Sequence, residues 1–249
     1  DHCGPLDVVT YCTLSGNLVV TQRTETRTIK TSVRVLETDP SQEGTLFVDM
    51  VPTEVDADGW MDVALAGYNQ LTTLTNRTGA CADWAGFRVH RVSTSTVGVH
   101  GNSRGMFRLR MGDVNGDGLA DAVLIREDSS RVIVAEATGG EVTGYTVATS
   151  IATENTGGEV FFVDAALTDI DGDLDLDVLV LERATLDGGP GSGDHIYTYL
   201  GDGAGGFGAP GLWALDTDAV ASRLFVGRLS SPGAQEVAVF SSGGGKPLA

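Results

Sequence analysis

The chain repeats one short pattern five times along its length. Each copy has an acidic residue next to a run of apolar residues, and the acidic residues are Asp7, Asp62, Asp121, Asp177 and Glu236. Successive acidic residues are therefore 55, 59, 56 and 59 positions apart. A repeat of this length corresponds to one supersecondary unit that cannot bury its apolar faces alone, so neighbouring units must pack together. The repeat predicts that residues 1–249 form a single modular domain, or a segment of one.

Within each unit the apolar residues follow the period of strands rather than that of helices. Strand-like stretches occur, for example, at Phe161–Ala166, Val178–Leu181 and Ile196–Leu200. Four short strands per unit are typical of a β-propeller blade. We expect an all-β fold of four-stranded antiparallel blades: three strands in the first partial unit, four in each of three complete units and two at the end. About four blades would be present, as part of a larger seven- or eight-bladed ring completed by further blades or by a second chain.

Three nine-residue loops end on three of the acidic residues and carry oxygen-bearing side chains at alternate positions. Loop 1 is 54–62, loop 2 is 113–121 and loop 3 is 169–177, and positions 1, 3, 5 and 9 of each are Asp, Asn or Glu. Such side chains, with the backbone carbonyl at position 7, provide the oxygen ligands that Ca²⁺ prefers. The predicted ligands of about three Ca²⁺ ions are Glu54, Asp56, Asp58, Trp60 and Asp62 in loop 1; Asp113, Asn115, Asp117, Leu119 and Asp121 in loop 2; and Asp169, Asp171, Asp173, Asp175 and Asp177 in loop 3.

Two other interpretations of these loops are less favourable. Solvated acidic turns without a cation would leave several carboxylates repelling one another in all three copies. An EF-hand begins in the same way but needs an acidic residue at position 12 and flanking helices. Position 12 is Leu65, Leu124 or Val180, inside an apolar strand-like run. We also expect no metal in the first copy, where Cys3 occupies position 5, or in the last copy, which begins at Arg228.

The three loops and the strands that follow them resemble the FG-GAP (or VCBS) repeats of integrin-α-like β-propellers. The stretch 199–210, with its sequence Tyr-Leu-Gly-Asp-Gly-Ala-Gly-Gly-Phe-Gly-Ala-Pro, is similar to the Phe-Gly and Gly-Ala-Pro segment of that family. The resemblance implies antiparallel blades around an axis, with Ca²⁺ in the loop that joins two strands of a blade. It also implies a secreted or cell-surface protein that binds rather than catalyses.

Charge and hydropathy exclude two classes of protein. The chain has 34 acidic and 16 basic residues and a formal charge of -18, whereas nucleic-acid binding depends on clustered cations. It has no apolar run long enough to span a bilayer. We therefore expect neither nucleic-acid binding nor a membrane-embedded protein.

The remaining question is whether the chain binds or catalyses. Its histidines (His2, His90, His100 and His195) are scattered and belong to no catalytic motif. We therefore expect a non-catalytic, calcium-stabilised extracellular binding or adhesion module for a protein or carbohydrate ligand. Two alternatives remain: a polysaccharide-acting lyase or hydrolase on the same scaffold, and a purely structural spacer. If the metal assignment is right, we expect Asp121→Ala to lower stability in calcium and to change little in chelator.

The cysteines constrain the chain less. There are three of them, Cys3, Cys12 and Cys81, so at least one thiol has no partner within the chain. Their spacing does not select among the three possible pairings, and all three stay open.

Overall fold

The fold is taken from a computed structural model. It describes residues 8–12, 17–23, 28–34, 47–67, 70–76, 87–93, 107–126, 131–139, 145–152, 161–183, 194–215, 220–228 and 235–242. Two thiols, Cys3 and Cys81, lie outside these ranges, so the structure does not bear on the cysteine pairing. The first copy of the loop and most of the last copy also lie outside them, so the expectation that neither holds a metal stays a prediction.

All regular secondary structure in the described residues is β-strand. The strands form five antiparallel sheets, and within each sheet the strands lie side by side in chain order. Sheet 1 contains β1 (Val8–Cys12), β2 (Asn17–Arg23) and β3 (Thr28–Arg34). Sheet 2 contains β4 (Phe47–Thr53), β5 (Asp62–Gly67), β6 (Gln70–Asn76) and β7 (Phe87–Ser93). Sheet 3 contains β8 (Phe107–Gly112), β9 (Asp121–Arg126), β10 (Arg131–Ala137) and β11 (Tyr145–Ala152).

The last two sheets complete the described fold. Sheet 4 contains β12 (Phe161–Thr168), β13 (Asp177–Arg183), β14 (His195–Tyr199) and β15 (Gly211–Ala214), and sheet 5 contains β16 (Val220–Gly227) and β17 (Glu236–Ser242). The predicted all-β fold is confirmed, with three, four, four, four and two strands in successive sheets. No helix in the described residues is long and apolar enough to cross a membrane.

The hydrophobic core lies between successive sheets. On β9, Ala122 and Leu124 belong to a cluster shared with sheet 2, whereas Val123 and Ile125 belong to a cluster shared with sheet 4. Successive side chains of a strand point to opposite faces, so a strand covered on both faces must be apolar at every position. This explains the continuous apolar runs after the acidic residues, and it shows that the sheets stack face to face as propeller blades do.

The first strands of sheets 2 to 5 form the line of contact between these sheets. Strand β4 packs against β8, β8 against β12, and β12 against β16. Three of these strands have an irregular register near their start, at Phe47/Asp49 in β4, Phe162/Asp164 in β12 and Ala221/Arg223 in β16. First strands that contact one another in succession are expected of blades arranged around a common axis. The described sheets do not close a ring, and the seven- or eight-bladed ring stays a prediction.

Candidate metal centres

The three acidic loops occupy the same place in three sheets. Loop 1 joins β4 to β5, loop 2 joins β8 to β9 and loop 3 joins β12 to β13. Each loop therefore connects the first and second strands of a four-stranded blade, as the family resemblance implied. Position 12 of each loop lies within the second strand, which confirms that these are not EF-hands.

The aspartate at position 9 closes each loop and ties it to the third strand. Asp62, Asp121 and Asp177 have no exposed surface. In each aspartate, one carboxylate oxygen accepts a hydrogen bond from the backbone amide of position 2 of its loop, namely Val55 (2.9 Å), Val114 (3.0 Å) or Ile170 (2.7 Å). The other oxygen accepts a hydrogen bond from a backbone amide at the end of the third strand, or two residues beyond it. These amides belong to Asn76 (2.6 Å, bonded to Asp62), Ala137 (2.8 Å, bonded to Asp121) and Gly201 (2.8 Å, bonded to Asp177). Sequence analysis predicted a metal ligand at this position but not this structural role.

Other acidic side chains fix the conformation of each loop by accepting hydrogen bonds from backbone amides of the same loop. The carboxylate at position 5 accepts the amide of position 7 in every loop, at 2.8 Å for Asp58 and Trp60, 2.8 Å for Asp117 and Leu119, and 2.9 Å for Asp173 and Asp175. At position 1, Asp113 accepts the amides of Gly116 (2.7 Å) and Gly118 (2.8 Å). The equivalent Asp169 accepts those of Gly172 (2.6 Å) and Leu174 (3.1 Å). The three loops therefore share one backbone conformation.

That conformation explains the glycines. Positions 4 and 6 have positive φ in all three loops, at Ala57 and Gly59, Gly116 and Gly118, and Gly172 and Leu174. Glycine adopts this region freely, whereas a residue with a Cβ is strained there by about 1–2 kcal/mol. Ala57 (φ 61°) and Leu174 (φ 81°) hold the conformation in spite of that strain.

Two of the three loops bring carboxylates together. In loop 1, oxygen atoms of Glu54, Asp56 and Asp62 lie within 4.8 Å of one another, and loop 3 does the same with Asp169, Asp171 and Asp177. One oxygen of loop 1, Asp56 Oδ1, is buried without a hydrogen-bond partner in the described structure. A bound cation would fill the coordination of such an oxygen.

Loop 2 differs from the other two. Its position 3 is the amide Asn115, whose Oδ1 accepts the Asp117 amide (3.0 Å) and whose Nδ2 donates to the Asp117 carboxylate (3.3 Å). Among the described residues, Asp113, Asp117 and Asp121 do not form a group of the kind seen in loops 1 and 3. In loops 1 and 3, positions 5 and 7 lie outside those groups. The predicted role of these positions as ligands therefore stays a prediction, as does that of all five predicted ligands of loop 2.

Burial and mutual repulsion make these carboxylates difficult to ionise. Burial raises the pKa of Asp62 to about 6, and the charges of Asp56 and Glu54 add to the shift, although the amides bonded to Asp62 oppose it. Burial also raises the pKa of Asp121, and burial followed by the charge of Asp58 raises that of Asp56. A nearby cation favours the ionised form, so metal binding would reverse these shifts.

A glycine-rich turn from sheet 4 contacts loop 2 of sheet 3. This turn, 201–208, lies between β14 and β15, and the amide of Gly205 donates to the carbonyl of Val114 (3.2 Å). Asp202 caps the turn by accepting the amides of Ala204 (2.9 Å) and Gly206 (2.8 Å), which lower its pKa. A Cβ on Gly201 would collide with the carbonyl of Leu176, so this position requires glycine. The turn therefore supports the loop of the neighbouring blade.

Comparison with protein families agrees with this architecture. Residues 55–124 match the family model described as an FG-GAP-like repeat. The chain carries an FG-GAP-like repeat. The match begins in loop 1, spans β5 to β8 and ends in β9, so it covers one full period of the pattern together with loop 2. None of the curated proteins that were compared matches the chain.

The described histidines do not form a catalytic centre with one another. His90 is buried in β7, where its Nε2 lies 3.2 Å from Thr75 Oγ1. His195 is in β14 of a different sheet, with Nδ1 3.9 Å from Glu182 Oε2. His2 and His100 lie outside the described residues.

Proposed function

We propose that the chain is a calcium-stabilised propeller segment that binds a ligand and does not catalyse a reaction. The observation that supports it is the pair of three-carboxylate groups in loops 1 and 3, one of which includes the unpartnered buried oxygen of Asp56. The FG-GAP-like repeat adds to this because repeats of this family often bind calcium. The ion would hold the position 1, 3 and 9 carboxylates together and would hold the first turn of each blade in place.

The donor set fits Ca²⁺ better than other common cations. Every side chain in the two groups provides oxygen, whereas zinc sites are typically built from nitrogen and sulfur ligands. Mg²⁺ prefers fewer protein ligands and keeps several waters. We also propose a third ion in loop 2, where the amide oxygen of Asn115 would replace a carboxylate.

The expected contribution of each ion to stability is modest. Extracellular modules bind Ca²⁺ with Kd values of about 0.1–1 mM. In about 1 mM Ca²⁺, each site then stabilises the folded state by roughly 0.4–1.4 kcal/mol. Such affinities suit a secreted or cell-surface protein, and FG-GAP repeats are typical of extracellular proteins. We propose an extracellular protein or carbohydrate as the ligand, and further blades or a second chain as the completion of the ring.

Calorimetric titration and thermal unfolding test the calcium assignment. Ca²⁺ should raise the melting temperature of the wild type, and removing the position 3 oxygens of both groups, in the double variant Asp56→Ala and Asp171→Ala, should remove most of that increase. Asp202→Ala is the matched control for the calcium-induced increase, since it removes a carboxylate from an exposed turn outside the loops. Equal melting of the wild type with calcium and with chelator would refute the assignment. Turnover of a polysaccharide in an activity screen would instead refute the proposal that the protein does not catalyse a reaction.

A further inference from the structure

The glycine-rich turn 201–208 contacts two of the acidic loops at once. At its start, the amide of Gly201 donates to the carboxylate of Asp177 (2.8 Å), which is position 9 of loop 3 in the same sheet. Four residues later, the amide of Gly205 donates to the carbonyl of Val114 (3.2 Å), which is position 2 of loop 2 in the neighbouring sheet 3. The turn therefore joins the acidic loop of its own blade to that of the next blade.

The turn is closed by its own hydrogen bonds. Gly201 and Phe207 form an antiparallel bridge across it, and the amide of Asp202 donates to the carbonyl of Gly206 (3.1 Å). The Phe207 ring packs against the apolar cluster that contains Val114 of loop 2. A closed turn that is anchored in this way can transmit a displacement from one end to the other as a rigid piece.

The turn also fits closely between the two loops. A Cβ on Gly203 would lie 2.5 Å from the carboxylate of Asp175 in loop 3, and a Cβ on Gly205 would collide with the carboxylate of Glu136 at the end of β10. From the other side, a Cβ on Gly116 of loop 2 would lie 3.2 Å from the carbonyl of Gly203. Because there is no room for even one methyl group at these contacts, neither loop can shift far without moving the turn.

Both ends of this connection lead to an aspartate at position 9. In loop 3, Asp177 belongs to the three-carboxylate group with Asp169 and Asp171. In loop 2, the amide of Val114 donates to the buried carboxylate of Asp121 (3.0 Å). A continuous path of hydrogen bonds therefore runs from the candidate ion site of sheet 4, through the turn, to loop 2 of sheet 3.

We propose that a cation in loop 3 also orders loop 2 of the neighbouring blade, through the turn 201–208. Without the cation, repulsion among the three carboxylates loosens Asp177 and its contact with Gly201. With the cation bound, Asp177 is fixed and the turn is held against loop 2. Such coupling is reciprocal, so a cation in loop 2 would raise the affinity of loop 3 by the same factor. The inference rests on the proposed calcium binding and adds that adjacent blades do not bind their ions independently.

Hydrogen exchange of backbone amides at increasing calcium concentration, followed by NMR on the full chain, tests the coupling. The amides of Gly116 and Gly118 report on loop 2, and those of Asp58 and Trp60 report on loop 1. Asp171→Ala removes a carboxylate from loop 3 without altering the turn. It should raise the calcium concentration for half-maximal protection of loop 2 by at least about 5-fold. Loop 1, which belongs to sheet 2, is the internal control and should keep its midpoint.

Replacing Gly205 tests whether the turn carries the effect. In a Gly205→Ala background, where the added Cβ displaces the turn, Asp171→Ala should no longer shift the midpoint of loop 2. Gly59→Ala is the matched control, because Gly59 has the same φ of 84° but open space around its Cβ position, and in that background the shift should persist. Gly205→Pro removes the donor to Val114 and provides a second variant if Gly205→Ala does not fold.

The proposal is overturned if Asp171→Ala leaves the midpoint of loop 2 unchanged or shifts loop 1 equally. It is also overturned if the shift persists after replacement of Gly205, or disappears in Gly59→Ala. The calcium-induced rise in melting temperature is a separate readout. A failure of coupling with a normal rise would leave the calcium assignment intact, whereas the absence of any rise in the wild type would refute that assignment itself.

Discussion

Replacing Asp121 separates the structural role of position 9 from its proposed role in metal binding. The carboxylate is fully buried and accepts the amides of Val114 (3.0 Å) and Ala137 (2.8 Å), which joins loop 2 to the end of β10. Asp121→Ala leaves two buried amides without their hydrogen-bond acceptor, and each unsatisfied amide lowers the free energy of unfolding by about 1–3 kcal/mol. The variant no longer buries a carboxylate whose pKa is raised, and this offsets part of the loss. We expect a net loss of about 2–4 kcal/mol in the free energy of unfolding, even in chelator.

Urea unfolding in chelator, and again in calcium, measures this effect. Asp117→Ala is the control, because Asp117 is exposed and its carboxylate accepts the exposed amide of Leu119. We expect Asp117→Ala to lose less than about 1 kcal/mol in chelator and to reduce only the stabilisation by calcium. Asp121→Asn keeps one acceptor oxygen and should fall between the two.

The result that refutes this reasoning is an Asp121→Ala variant as stable as the wild type in chelator. That outcome is the one expected from sequence alone, where Asp121 is only a metal ligand. An equal loss for Asp117→Ala in chelator would also refute it, because the loss would then not depend on the buried amides. Similar denaturant m values for all variants are needed for the comparison.

Three further predictions concern strain, pH and contacts between blades. Leu174→Gly should raise the free energy of unfolding by up to about 1 kcal/mol in urea unfolding, because Leu174 has positive φ and is 88% exposed. Leu174→Ala keeps the backbone strain and should not raise the free energy of unfolding. Burial, aided by the charge of Arg88, lowers the pKa of His90, so its contribution to stability is complete above about pH 6.5 and is lost as pH falls below that value. His90→Asn should therefore flatten the pH dependence of the unfolding free energy in this range, and an unchanged slope would contradict the assignment. Arg110→Met should lower the free energy of unfolding by roughly 2–3 kcal/mol in thermal or urea unfolding, because it removes the ion pairs of Arg110 with Asp49 and Asp164. Arg88→Met should have little effect, because Arg88 is exposed.

The strands and loops were predictable because they depend on short-range patterns. A short apolar run bounded by turn residues is a local signal, so Val178–Leu181 could be assigned to a strand without knowledge of its neighbours, and it lies in β13. The loops were equally visible, because alternate oxygen-bearing residues and glycines at positions of positive φ are local requirements. Boundaries differed by one or two residues, as at the end of β12, which was predicted at Ala166 and extends to Thr168.

Contacts between blades could not be predicted in the same way. Leu109 bonds to Asp49 across 60 residues and Arg110 reaches Asp49 across 61, and neither contact leaves a local signal. The difference between loop 2 and the other loops was also hidden, because Asn115 satisfies the same spacing rule as an aspartate. Only its hydrogen bonds to Asp117 distinguish the two arrangements.

By itself, the sequence determined the repeat, the class of fold and the position of the acidic loops, because these follow from the period of strands and from local backbone geometry. Tertiary structure decided which oxygens come together, that the aspartate at position 9 holds the third strand, and that Arg110 pairs with both Asp49 and Asp164 of the neighbouring sheets. The physical reason is that burial and hydrogen-bond partners depend on the neighbouring blade, and the stacking of sheets brings together residues that lie about 60 positions apart.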